Sequence, residues 1–310
     1  MVKLLGSVEI ESVKPLIMEL KFILKRIRQS PLSIIGISII VFYIILAILA
    51  PVLAPPEPGR DPYIMPSYGI SPVPKPPSKQ AIWGTTEGQY DIYYGCIWGV
   101  RTAFRTGIII TVGSMIIGIL IGCISGYYGG KVDEIMMRIT DMFYAIPTIV
   151  LAMAIVVLLG IGLDNVIKAM IIVGWPTYAR LMRAEVLRIK NEDYIEAARA
   201  IGCSDFRIMV KHILPNAIYP VIIMASMNIG NVVLAASALS FLGLGSPAGY
   251  ADWGAMIALS RNWILGLPGN PLAFWHTYII PGLFIFTFVL GWNLLGDAFR
   301  DMLDPLIRRR

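Results

Sequence analysis

Charge is what this sequence has least of. Only 15% of its 310 residues are Asp, Glu, Lys or Arg, against about 25% in a soluble domain, and mean hydropathy is +0.71. The deficit is concentrated: residues 32–53, 106–130, 142–163, 213–251 and 262–296 hold no charged side chain. Uncharged runs of about 18 residues or more suit a hydrocarbon core about 30 Å thick, so a soluble fold is excluded and a multi-pass membrane protein is expected. Histidine and cysteine are also scarce. His212 and His276 have no partner at metal-ligand spacing, and Cys96, Cys123 and Cys203 fall in separate stretches; neither a metal centre nor a disulfide framework is implied. The sequence has no H-E-x-x-H, C-x-x-C or G-x-S-x-G. Gly126–Lys131 is a poor phosphate loop, with the wrong spacing and Val132 where Ser or Thr belongs. No catalytic residue emerges. The net charge of +6 is read as membrane topology, with no nucleic-acid partner.

Six basic residues precede Pro31, which opens an Ile- and Leu-rich run to about Leu53. The run is long and late for a cleaved signal, so residues 1–31 are expected to form a cytoplasmic arm and 32–53 the first transmembrane helix. Nine prolines between residues 54 and 80 exclude helix and central strand there and place the stretch outside the lipid. Trp83, Tyr90, Tyr93, Tyr94 and Trp98 follow. They suit an interfacial helix from about Ile92 to Phe104 or packing within a small outer domain, which together bound an extracytoplasmic segment 54–104. A five-helix core is expected over 105–296. Its first helix, from about Arg105 to Tyr128, carries Ser114, Gly118, Gly122, Gly126 and Gly130 at every fourth position, a face for close helix packing rather than a ligand groove. The next, about Glu134 to Gly160, should kink at Pro147. Asp141 near its cytoplasmic end is either a functional group within the membrane or the partner of Arg138.

A fourth span from about Asn165, interrupted by Gly174, Trp175 and Pro176, leaves the membrane through Arg180 and Arg183. A fifth, about Pro215 to Leu242, precedes a glycine-rich outer loop, 243–273. The last, about Phe274 to Leu295, is anchored by Trp275 and Trp292 and leads to a cytoplasmic tail, 297–310. This arrangement puts 19 of the 26 basic residues on the inner side, as cytoplasmic loops require. Arg101 and Arg105, near an outer end, are expected to snorkel. The fold class is therefore all-α, a membrane protein of six transmembrane helices with both termini cytoplasmic.

The inner loop 189–216 is the most informative stretch. Asp193 can cap a short helix of strong helix formers, Gly202 can end it in a left-handed turn, and Ser204 or Asp205 can cap a second short helix before Pro215. Ala198 permits the close approach of a sharp corner. Ala-x-x-x-Gly also occurs in DNA-binding helix-turn-helix units, but both arms here run into membrane spans. A loop that only connects needs no capped glycine corner, so a rigid plug for a cytoplasmic partner is the better reading.

Glu196-Ala197-Ala198, Gly202 and Ile213-Leu214-Pro215 resemble the "EAA" loop of ABC-importer permeases. Leu294-Leu295-Gly296-Asp297-Ala298-Phe299-Arg300-Asp301 with Leu303-Asp304-Pro305, and Asp252-Trp253-Gly254-Ala255-Met256-Ile257, are similar to the peptide/nickel subgroup. So are the long arm and Pro-rich insert of its DppC/OppC-like subunits. The outer motif departs from the subgroup: Gly84, Thr85 and Asp91 remain, while Thr86, Gln89 and Tyr90 replace Asp, Gly and Arg, which removes an Asp–Arg ion pair. The resemblance covers nearly the whole chain.

It implies a type I, MetI-like permease fold and an importer subunit for oligopeptides or dipeptides, or for oligosaccharides or nickel chelates. It also implies a homologous second permease (DppB/OppB-like), one or two cytoplasmic ATPase subunits that hold the ATP and Mg, and an extracytoplasmic substrate-binding protein. This chain would hold no cofactor, metal or ATPase site itself. The ATPase-coupling residues carried over are Glu196, Ala197, Ala198, Arg199, Gly202, Ser204, Asp205, Ile213 and Pro215. Asp141, Ser226, Asn228 and Asn231 are candidates for the substrate pathway, and Asp252, Trp253 and Arg261 for the binding-protein side. Two other classes compete. A single-chain ion-coupled carrier needs midplane carboxylates and inverted repeats, of which only Asp141 is on offer. An intramembrane enzyme would have His276 as its sole candidate base, and a packing histidine explains that residue better.

Overall fold

The computed structural model describes residues 30–303; the expected arm and the Asp304-Pro305 ending lie outside them. Among the described residues the fold is helical, with only isolated antiparallel bridges. Four helical stretches are long and apolar enough to cross a membrane, and a fifth crossing exists if one sharply bent pair is counted as a span.

α1 runs Pro31–Leu53, with Pro31 at its start and the Ser30 hydroxyl accepting from the Ser33 N–H. α2 runs Ile92–Tyr128, capped by Asp91, whose carboxylate accepts from the Tyr94 N–H. Its 37 residues span about 55 Å. The expected interfacial helix and second span are thus one rod. No proline interrupts it, and Ile92, Ile97, Trp98 and Val100 are buried within the protein.

Side chains from α2 hold the end of α1. Trp98 Nε1 donates to the Ala54 carbonyl at 2.8 Å and Tyr93 Oη to that of Leu53 at 3.2 Å. Pro51 lies inside α1 and has no N–H for the carbonyl four residues back, that of Ala47. Arg101 Nε supplies the missing donor at 2.6 Å while its guanidinium stacks on Trp98. Arg101 therefore does not snorkel but turns inward, and Arg105 pairs with Asp164 at 2.6 Å.

α3 (Gly130–Tyr144) and α4 (Thr148–Leu159) meet at 89°. The expected kinked span is a full break, because Pro147 offers no N–H and forces the residue before it out of the helical region. α5 runs Leu163–Ile189 through Pro176. Gly118, Gly122 and Gly126 of α2 lie against its backbone. A Cβ there would stand 2.8 Å from Ala179 N, 2.9 Å from Arg183 N and 3.0 Å from Arg183 O respectively, so the small-residue face is a packing face. Gly130 is not part of it, since α2 ends at Gly129.

α6 is Asp193–Ala200 and α7 Asp205–Ile208. α7 passes through a π-helical turn, Met209–Ile213, into α8, Leu214–Phe241. The expected second short helix is thus the first turn of a longer rod, and Pro215 sits inside that rod. The π turn accommodates a proline that cannot donate, and Asn216 Nδ2 takes up the His212 carbonyl at 2.6 Å. α9 is Trp253–Ala258 and α10 His276–Leu303. One buried cluster joins α1, the outer part of α2, α9 and α10; a second lies beneath α6 and α7; a third joins α4, α5 and α8.

Candidate functional site

The elbow between α6 and α7 turns at Gly202, whose φ of +83° is left-handed and available cheaply only to glycine. Capping differs from expectation. Glu192, not Asp193, occupies the position before α6, and neither it nor Ser204 makes a side-chain cap bond. The Asp205 carboxylate instead accepts from Tyr127 Oη at 2.6 Å. Lys190 Nζ donates to the Tyr127 carbonyl at 2.6 Å, and the Arg199 guanidinium lies 5.7 Å from the Tyr127 ring centre. A few residues away Arg183 donates twice to Asp133 at 2.5 Å, and Ser125 donates to the same carboxylate. The ends of α2 and α5, the start of α3 and the elbow are thereby tied together by charged hydrogen bonds, which are stronger than neutral ones.

Below this network Ile195, Ala198, Ile208 and Ile213 are buried against Met182, Val186 and Ile189. Ala198 and Ile213 therefore seat the elbow on its own protein and are not open to a partner. Glu196, Ala197, Arg199, Gly202, Ser204, Asp205 and Pro215 are exposed. Three residues that sequence reasoning missed complete the exposed surface: Tyr194, Ile201 at 81% and Phe206 at 73% exposure. Large apolar side chains on a charged inner loop were the available signal.

A second feature lies between α5 and α8. A cavity of about 180 Å³ is lined by Met170, Val173, Gly174 and Thr177 from α5 and by Asn228, Asn231, Val232 and Ala235 from α8. Pro176 of α5 also lines it; apart from that residue each set is spaced i, i+3, i+4, i+7, one face of a helix. Phe143, Tyr144 and Thr148, flanking the α3–α4 break, close it. Asn228 Nδ2 donates to Tyr178 Oη at 3.1 Å, while the Asn231 amide makes no side-chain hydrogen bond among the described residues. Ser226 is not in the lining, and its hydroxyl bonds back to the Ile223 carbonyl. Asp141 is not in the lining either. It pairs with Arg180 at 2.6 Å instead of with Arg138, which faces Glu134. Arg180 stacks on Tyr144, whose hydroxyl is 2.9 Å from that of Thr177.

At the end of the bundle away from the elbow, Asp252 and Trp253 are buried. Asp252 caps α9 through the Gly254 N–H and accepts from the Ser240 and Ser246 hydroxyls at 2.7 and 2.8 Å; Trp253 Nε1 donates to the Cys96 carbonyl. Neither is available to a partner, which corrects the expectation for both. Arg261 is exposed and lies over the Phe241 ring. The loop after it exposes Ile264, Leu265, Leu267 and Leu272 and is fixed by Trp263 Nε1 donating to Glu87 at 2.8 Å.

The altered motif is largely bonded within itself, although Gln89 Oε1 is buried without a partner among the described residues. Thr85 and Asp91 bridge, the Gln89 side chain donates to the Val73 carbonyl, and Tyr68 Oη donates to Asp91 at 2.8 Å. Burial, with the Asp91 carboxylate alongside, pushes the Tyr68 phenol up to about 12. His276 is buried, with Nε2 3.0 Å from the Lys75 carbonyl, a packing role. Among the described residues no cluster of His, Cys, Asp or Glu could hold a metal ion.

The family "Binding-protein-dependent transport system inner membrane component" matches residues 118–309, and "N-terminal TM domain of oligopeptide transport permease C" matches residues 20–69. The dipeptide transport system permease protein DppC of Alkalihalophilus pseudofirmus is 37% identical over 92% of this chain and 89% of its own length. The oligopeptide transport system permease protein OppC of Bacillus subtilis is 35% identical over 92% and 88%. A looser likeness, TM-score 0.49 at 22% identity over 66% of this chain and 95% of the other, is to a solved MetNI methionine ABC transporter.

Proposed function

The chain belongs to the family of binding-protein-dependent transport system inner membrane components, and from that premise we propose that it is one half of the passage of an ATP-driven peptide importer. Its other half is a homologous permease. One or two kinds of cytoplasmic ATPase subunit hold the ATP and Mg, and an extracytoplasmic binding protein delivers the passenger. Six spans with both termini cytoplasmic, α5 counted as a crossing and α3–α4 as a broken one, is the topology this reading uses. Di- or oligopeptides are the passenger class, as the names of both relatives suggest.

The observation that carries the reading is the elbow: a glycine corner braced from three helices, presenting Tyr194, Ile201 and Phe206 outward beside Glu196 and Arg199. Exposed apolar side chains rimmed by charge mark a protein-docking surface. An ATPase groove closing on it would move α5, α8 and the end of α2 together. On the outer face the exposed leucine loop and Arg261 take the binding-protein role once expected of Asp252 and Trp253. The cavity lined by Asn228 and Asn231 is the passage; Ser226 and Asp141 are not assigned to it. The experiment is reconstitution of the complex in vesicles with Ile201→Cys. Peptide uptake requires ATP and binding protein, and a short crosslinker joins residue 201 to an ATPase subunit. Uptake without the ATPase, or a crosslink to lipid alone, rejects the assignment.

A further inference from the structure

The cavity between α5 and α8 has a chemistry that its position alone does not dictate: no lining residue carries a formal charge. Its polar groups are two amides, Asn228 and Asn231, and the hydroxyls of Tyr144, Thr148 and Thr177. The Asp141–Arg180 pair, 2.6 Å apart, lies outside the lining, with Arg180 stacked on the lining ring of Tyr144. Asn228 is held by Tyr178, and Tyr144 and Thr177 hold each other. Asn231, exposed toward the space and without a side-chain partner among the described residues, is the free amide.

A carboxamide offers one acceptor and two N–H donors, which complements the C=O and N–H of a peptide bond. It offers nothing that distinguishes an acidic from a basic side chain. A charged residue would do the reverse, favouring passengers of opposite charge and opposing those of like charge. We propose that Asn231 is the residue that meets the passenger's backbone, and that the cavity is thereby blind to the charge of the passenger's side chains. This rests on the importer reading above. It adds which atom contacts the passenger and what the passage does not select.

The test uses the whole complex in vesicles, with radiolabelled Ala-Ala-Ala, Ala-Lys-Ala and Ala-Asp-Ala as probes. Uptake of each by a variant is divided by uptake of the same peptide by wild type, which cancels selection by the binding protein. Asn231→Leu is expected to lower all three alike, about tenfold, the effect of losing one hydrogen bond of about 1.4 kcal/mol. Asn231→Asp is expected to separate Ala-Lys-Ala from Ala-Asp-Ala by about tenfold or more, and Asn231→Gln to recover uptake without separating them. The Asn231→Asp readout is a ratio between peptides, which reduced assembly does not obscure, and uptake by Asn231→Leu is divided by the amount of assembled complex in the vesicles. A lysine-to-aspartate ratio unmoved by Asn231→Asp, or undiminished uptake by Asn231→Leu, overturns the proposal. If the wild-type complex imports none of the three in an ATP-dependent way, the importer reading fails instead, whatever stands at position 231.

Discussion

Two side chains 50 residues apart decide how α1 is held. The Ala47 carbonyl loses its helical donor to Pro51 and regains one from Arg101. Arg101→Met leaves that carbonyl unpaired in an apolar setting and is expected to lower stability by about 1–3 kcal/mol, read as a drop in thermal midpoint of the detergent-purified protein. Pro51→Ala restores the helical N–H, so the double variant should recover most of the loss, a non-additivity expected of residues sharing one partner. Additive losses would show that Arg101 acts by charge alone. This pairing was not legible in the sequence, where Arg101 is merely a cation near one end of a span; that it is the group reaching the Ala47 carbonyl emerges only when α1 and α2 lie side by side. Asp252 and Trp253 were misplaced for the same reason. A conspicuous Asp-Trp-Gly motif reads as a contact surface until Ser240, Ser246 and the Cys96 carbonyl are seen to use up its polar atoms.

Helices themselves were legible because uncharged runs and proline positions set them, but their joints were not. Sequence reasoning divided α2 at Arg105 and separated α7 from α8 at Pro215, and both are continuous. In the first case buried aromatic packing removes the reason for a break; in the second a π turn absorbs the proline. The glycine corner was legible, since φ > 0 is a local demand that glycine meets. At Gly202 no atom lies within 4 Å of an added Cβ, so a substitution there is penalised by backbone strain alone, about 1–2 kcal/mol for a left-handed residue. Gly202→Val should therefore leave the protein inserted while the elbow departs from its docking pose. Uptake falls by tenfold or more, a rough figure from the same strain energy, and ATP hydrolysis by the partner subunits persists. Gly202→Asn, which tolerates φ > 0 better, should fall between. Undiminished ATP-driven uptake by the valine variant would remove the elbow from the coupling path.

At the scale of the molecule, the outer cap and the elbow occupy opposite ends, and membrane sidedness is directly measurable. Cysteine at Ile70, which is fully exposed, should react with an impermeant maleimide added outside intact cells, and cysteine at Ile201 only after the membrane is opened. The opposite pattern would invert the topology and, with it, every partner assigned to a face. The sequence could place charge on one side but could not show that a single rod joins the two ends. α2 is bonded at its outer end to α1 through Trp98 and Arg101, and at its inner end to the elbow through Tyr127 and Asp205. A member fastened at both ends obeys a reciprocity that neither end can escape. Whatever free energy a protein settling on the outer cap lends to one pose of the elbow, a nucleotide-bound partner gripping the elbow must lend to the matching pose of the cap. On the importer reading, the coupling between those two binding events is one free energy read from two sides of the membrane.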